Sequence, residues 1–176
     1  SGIPSIVYGL FGYLMFGVAL HWGYSMLSGA LTLAIMVLPS IMRTTEEALK
    51  AVPDSYREGS FGLGAGRLRT VFVVILPSAI PGILAGVILA IGRITGETAA
   101  LIYTAGTVPG IPTTKLCGIP IFDMMASGRT LAIHMYALLN EGLYMEQAYA
   151  TAVVLLIMVL LINALSAFVA KKFTRS

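Results

Sequence analysis

The chain has 176 residues and a formal net charge of +3. Only 11% of its residues are charged and 57% are hydrophobic, whereas a soluble domain carries roughly 25% charged residues, so there is too little charge to coat a water-facing surface. A single cysteine, Cys117, excludes an internal disulfide and a multi-cysteine metal site, and few aromatic residues lie near the basic ones, which argues against nucleic acid as a partner.

The composition is that of an integral membrane protein embedded in lipid, with room for four or five spans of about 20 residues. Residues 1–42 contain no Asp, Glu, Lys or Arg. The run divides at residues 21–25, His-Trp-Gly-Tyr-Ser, where aromatic residues sit as they do at a membrane–water interface. Spans are predicted near 5–20 and 25–42. The first is short, and the sequence opens without an initiator methionine or a signal-peptide pattern; it reads as the continuation of an earlier segment.

Further along, Thr44 or Thr45 is the predicted N-cap of a helix with Glu46 and Glu47 in its first turn, where the helix dipole favours acids. Pro53 breaks that helix and opens a short second one near 54–63, since proline suits a first helical turn. Gly62, Gly64 and Gly66 are placed to end it, because glycine readily takes the left-handed conformation. The next charge-free run, 70–92, is the third span, and Pro77 and Pro81 should bend it. Residues 107–120 read as loop from their proline and glycine content. Residues 128–139 read as a short helix, and Asn140-Glu141-Gly142 as a turn. The fourth span covers 148–170, where Asn163 is placed to bond a neighbouring helix.

The charges orient these spans. Arg43, Lys50, Arg57, Arg67 and Arg69 lie between the second and third, and Lys171, Lys172 and Arg175 form the tail. Residues 98–147 hold only Lys115 and Arg129 against Asp123, Glu141 and Glu146. The positive-inside tendency therefore puts 43–69 and the tail in the cytoplasm and 98–147 outside.

One stretch carries a resemblance. Glu58-Gly59-Ser60, three residues, Gly64, nine residues, then Val74-Ile75-Leu76-Pro77 resembles the EAA loop of ABC importer permeases. That loop is written Glu-Ala-Ala, three residues, Gly, nine residues, Ile, one residue, Leu-Pro. Gly59 and Ser60 replace the two alanines and Val74 the isoleucine. Small residues stay small, though Gly59 weakens the helix by up to about 1 kcal/mol relative to alanine. In that family the short helix docks into a groove on the ATPase subunit. The resemblance implies that Tyr56, Arg57, Glu58, Gly59, Ser60 and Phe61 form this contact, with Gly64 allowing the turn behind them.

Residues 4–12, 92–106 and 148–173 are further similar to the PstA-type permease of phosphate ABC importers, which usually carries two more N-terminal spans. The resemblance implies an all-α, polytopic membrane bundle of the type I importer class over residues 1–176, in the plasma membrane of a prokaryote. It implies no bond chemistry in this subunit and no cofactor. The implied partners are ATPase subunits, a second permease subunit and an extracytoplasmic phosphate-binding protein, for which 98–147 would form the docking surface. The chain has no G-x-x-x-x-G-K-[ST] motif, so ATP would be bound by another chain.

Arg93 and Glu97 stand one helical turn apart at the end of the otherwise charge-free third span. A charge at mid-membrane costs about 2.5–3.5 kcal/mol on insertion scales and needs a partner or a polar cavity. At positions i and i+4 they share a helical face and can pair. Arginine also suits phosphate, offering parallel N–H donors to two oxygens; Thr95 and Thr98 could add hydroxyls, and Gly96 lets the backbone approach. The four side chains are candidates for the substrate path, the alternative being an interfacial ion pair that holds helices together. His21 and His134 have no acid or cysteine at ligand spacing, so no metal site is predicted. Permeation of sulfate, molybdate or phosphonate, or transport without an ATPase as in a secondary transporter or channel, remain the alternatives.

Overall fold

The computed structural model describes residues 3–111, 113–116 and 119–174; Cys117 and Arg175 lie outside the described residues. Helix α1, Ser5–Ala19, is α-helical for eight residues and continues as seven residues of wider π-type turns. Helix α2 is Met26–Lys50, α3 is Asp54–Gly62, and α4 is Arg67–Thr95. Then come α5, Ala99–Thr104, a β-hairpin of β1, Thr113–Leu116, with β2, Ile119–Phe122, and α6, Leu131–Glu141. The last helix, α7, is Met145–Thr174.

Helices α2, α4 and most of α7 are long and apolar enough to cross a membrane, which matches the second, third and fourth predicted spans. Helix α1 is not. Its fifteen residues rise at most about 22 Å, against roughly 30 Å of hydrocarbon. It stops where His21 and Gly23 both take positive φ. The turn lays Trp22 on Phe16 and Tyr24 on Tyr13 as stacked pairs with ring centroids 5.9 and 5.3 Å apart.

Two expectations are corrected. No helix starts at Thr44 or Thr45: α2 runs through both. The Thr44 hydroxyl donates back to the carbonyls of Ser40 and Ile41 at 3.0 and 3.1 Å, the mid-helix alternative to capping, and the pairs Arg43–Glu47 and Glu46–Lys50 support the same turns. Second, the loop predicted over 107–120 contains a hairpin, with Thr113 opposite Phe122 and Leu116 opposite Ile119. Its β-branched Thr113, Thr114, Ile119 and Ile121 favour extended backbone, which proline and glycine counting overlooked. The short helix and its turn are borne out: Thr130 caps α6 by accepting from the Ile133 N–H, and Gly142 closes it at φ 69°.

Two compact units divide the chain: Ser1–Val37 with Arg93–Leu160, and Leu38–Gly92 with Leu161–Ser176. In the first, small residues bring helices together. Gly9 meets the Ala100 backbone so closely that a Cβ there would lie 2.9 Å from the Ala100 Cα. Gly29 likewise lies against Leu101 and Ala105, which pack with Ile133, Met26 and Leu33. This is how helices associate in lipid, where close van der Waals contact replaces hydrophobic driving force. The fully buried hydroxyls of Ser25, Ser28, Thr32 and Thr104 are all hydrogen-bonded, Ser25 to Ser28 at 2.8 Å and Thr32 and Thr104 to carbonyls of their own helices.

In the second unit, Val52, Ile75 and Ala79 form a buried cluster with Ala48, Leu49, Val74 and Ile83 around it. The Asn163 side chain packs against Gly92 of α4. Residues Thr70–Ile75 of α4 form wide turns just before Pro77, which has no N–H to close the ladder onto the carbonyl four residues back.

Gly9→Ala is expected to lower the thermal midpoint of the detergent-solubilised chain, because the new methyl meets backbone and forces about 1–3 kcal/mol of overpacking. Gly59→Ala, where a Cβ meets nothing within 4 Å, should leave the midpoint unchanged or raise it, by up to about 1 kcal/mol of helix propensity. Equal midpoints for the two variants would contradict the close α1–α5 contact.

Candidate functional sites

Helix α3 follows α2 after a break at Ala51–Pro53. Pro53 holds extended ψ at the N-cap and Asp54 opens the helix. Its end is a Schellman turn: the Ala65 N–H donates to the Ser60 carbonyl at 3.1 Å and the Gly64 N–H to the Phe61 carbonyl at 2.9 Å. Gly64 stands at φ +79°, the left-handed position this motif requires. Of the three glycines predicted to end the helix, Gly64 alone takes that role; Gly62 is helical and Gly66 is extended.

No residue of α3 is buried. Tyr56, Glu58, Gly59, Phe61 and Gly64 all face outward, and Leu63 beside them is 92% exposed. A groove of about 680 Å³ runs between α3 and α4, lined by Tyr56, Gly59, Ser60, Leu63, Val74 and Pro77. Arg57 and Ser60, predicted to share the contact surface, are half-buried. They lie three residues apart on one helical face and turn toward α2 and α4. The Arg57 guanidinium donates to the carbonyls of Leu49 at 3.0 Å and Val52 at 3.4 Å and pairs with Asp54. The Ser60 hydroxyl bonds that of Thr70 at 2.9 Å. Sequence reasoning missed Thr70 and Leu63; an uncharged hydroxyl directly after Arg67-Leu68-Arg69 was the available signal for Thr70.

The second candidate group lies where α4 gives way to α5. Arg93 sits in the last turn of α4, where a cation suits the helix dipole, and is exposed. Thr95 ends that helix, and Gly96 and Glu97 form the connection to the cap of α5 at Thr98. The predicted i,i+4 pair does not form: the helix stops between the two residues, so they no longer share a helical face. Glu97 instead accepts from the Ala100 N–H at 3.4 Å, and the Thr98 hydroxyl donates to the Gly96 carbonyl at 3.3 Å. Among the described residues Arg93 makes no ion pair. Arg93, Thr95, Glu97 and Thr98 are thus brought into one short turn.

A third cluster joins the segment after the hairpin to α2 and α5. The N–H groups of Ser25, Met26 and Leu27 donate to the carbonyls of Thr104, Ala126 and Met124 at 2.9–3.0 Å. Ser127 donates to the Ala105 carbonyl at 2.8 Å, and Arg129 reaches the Thr107 carbonyl at 2.7 Å and His134 Nδ1 at 3.1 Å.

A family model described as the inner membrane component of binding-protein-dependent transport systems matches residues 1–176. The chain is 41% identical to the probable ABC transporter permease protein YqgI of Bacillus subtilis (strain 168), over 93% of this chain and 58% of that protein. It is 44% identical to phosphate transport system permease protein PstA 2 of Mycobacterium bovis (strain ATCC BAA-935 / AF2122/97), over 69% of this chain and 40% of that one. It is 37% identical to the phosphate transport system permease protein PstA of Xylella fastidiosa (strain 9a5c), over 91% and 53% respectively. The chain spans about half the length of the curated relatives it matches. No solved structure matches it. With its apolar membrane-length helices and a family match along its whole length, the chain is a multi-pass membrane protein and belongs to the family of inner membrane components of binding-protein-dependent transport systems.

Proposed function

We propose that this chain is the core of a permease subunit of an ATP-driven importer, and that the importer moves inorganic phosphate into the cell by alternating access. Phosphate is favoured over another oxyanion because relatives similar over most of this chain are phosphate transport system permeases. One observation carries the mechanism: α3 stands with a wholly unburied outer face at the junction of two membrane-length helices. An isolated membrane bundle gains nothing from that helix, whereas a subunit moved by a partner needs such a handle. ATPase subunits would hold Tyr56, Glu58 and Phe61, and ATP-driven closure would displace α3. A second permease subunit would complete the path.

In this reading 43–69 is cytoplasmic and 98–147 extracytoplasmic, where a phosphate-binding protein would dock. Cysteines introduced at Leu63 and Leu143, 92% and 81% exposed, in a Cys117→Ser background test the orientation. An impermeant thiol reagent should label the first only in inverted vesicles and the second only in right-side-out ones. Labelling of both from one side would overturn the assignment.

Gly64→Val tests the handle. Valine at positive φ is strained by roughly 1–2 kcal/mol, and space around Gly64 is open, so the effect falls on the turn. The variant should insert normally but lose ATPase co-purification or ATP-driven uptake. Unchanged uptake would show that the turn is not needed.

Arg93 is proposed to contact the anion in transit, supported by an exposed guanidinium that does not pair with Glu97. Arg93→Gln should abolish ATP-dependent phosphate uptake into vesicles while leaving complex abundance and ATP hydrolysis in place. Arg93→Lys should restore little of it, since an ammonium lacks the planar fork. Rescue of uptake by Arg93→Gln with Glu97→Gln would make Arg93 a structural strut instead.

A further inference from the structure

Helix α3 has an outer face and an inner one, and the inner face, which lies against Thr70–Ile75 of α4, also makes polar contacts. At the end of α2 the last carbonyls have no partners within the helix. The Arg57 guanidinium takes one of them, that of Leu49, together with the Val52 carbonyl in the break that follows, where a cation also suits the helix dipole. Arg57 is pinned in turn by Asp54 at the start of α3, and Val52 is buried against Ile75 and Ala79 of α4.

The second contact is a hydroxyl pair. The Ser60 and Thr70 hydroxyls lie 2.9 Å apart, and the Gly66 carbonyl is 3.2 Å from the Thr70 hydroxyl. Thr70 is 2% exposed, so this contact ties α3 to a buried position in the first turns of α4.

We infer that Arg57 and the Ser60–Thr70 hydroxyl pair form a two-point latch that makes α3 move as one body with the end of α2 and the start of α4, so that they transmit the stroke in place of contacting the ATPase. Arg57 is then a positioning residue. The inference rests on the ATP-driven reading above. Without the latch, α3 would keep only its chain connections at Ala51–Pro53 and Leu63–Gly66 and its side contact with Thr70–Ile75, and a push on Tyr56, Glu58 or Phe61 would turn it more than it shifts the spans. The fork explains why the charge is an arginine: a lysine ammonium is a point charge on a flexible stem and does not hold two carbonyls in a fixed plane.

The test uses the complete importer in proteoliposomes, with complex abundance, ATP hydrolysis and phosphate uptake measured on the same samples. Arg57→Ala should assemble and hydrolyse ATP near the wild-type rate, while phosphate moved per ATP falls by about tenfold, as expected for lost interactions that hold a moving part in geometry. Arg57→Lys should fall between. Ser60→Ala with Thr70→Val removes both hydroxyls together, so neither is left unpaired, and should lower the same ratio. Amide hydrogen exchange across residues 57–62 supplies a readout independent of transport, and should quicken by about tenfold in Arg57→Ala. An unchanged ratio in Arg57→Ala, or uptake lost only in proportion to complex abundance, would overturn the latch as a transmission device. Unchanged exchange would overturn the latch itself. A wild-type complex without ATP-driven uptake would instead overturn the importer reading.

Discussion

An α-helix leaves four N–H groups at one end and four carbonyls at the other without internal partners. Helix α2 shows how this chain meets that constraint at both ends. At its start, Ser25 accepts from the Ser28 N–H through its side chain, and carbonyls of Thr104, Met124 and Ala126 take the N–H groups of Leu27 and its two predecessors. At its end, Arg57 takes the carbonyl of Leu49 and, just past the helix, that of Val52. At the start most partners come from a segment remote in sequence, whereas at the end the partner is only one short helix further along the chain. The 123–128 stretch is thereby fastened to α2 at one end, and α3 at the other.

Where helix faces meet without polar groups, small residues do the work. Gly9 against Ala100, Gly29 against Ala105 and Gly82 against Ala48 bring backbones close. Dispersion contacts summed over such approaches replace the hydrophobic term that lipid removes. Polar side chains inside the structure follow the same economy. The hydroxyls of Thr32, Thr44 and Thr104 return to carbonyls of their own helices, which satisfies them without committing a neighbour.

Helix α3 departs from this pattern, and its departure is informative. It carries Asp54, Arg57 and Glu58 within nine residues and buries none of its side chains. Its shape is set by a proline before it and a left-handed glycine after it, and its placement by a guanidinium and a hydroxyl. A helix held this way keeps its outer face open, which a helix packed by apolar contacts over the same length could not do as fully.

Local chemistry in the sequence determined much of this. Charge-free runs of membrane length located three long helices, because hydrocarbon thickness sets span length irrespective of neighbours. Pro53 and Gly64 bounded α3, because ring closure and the absence of a Cβ act on the backbone wherever the residue stands. Gly142 ended α6 for the same reason. What the sequence left open depended on partners outside the segment whose spacing was read. Spacing put Arg57 and Ser60 on one face of α3 but did not say which way that face turns; Leu49, Val52 and Thr70 decided it by offering carbonyls and a hydroxyl. Spacing likewise allowed Arg93 and Glu97 to pair, until the end of α4 at Thr95 separated their faces and gave Glu97 to the Ala100 N–H. Thr44 has the chemistry of a cap, yet α2 runs through it, because nothing there interrupts the hydrogen-bond ladder. Periodicity and propensity are properties of a segment, whereas the direction a side chain takes is settled by whichever group the fold brings within about 3 Å of it.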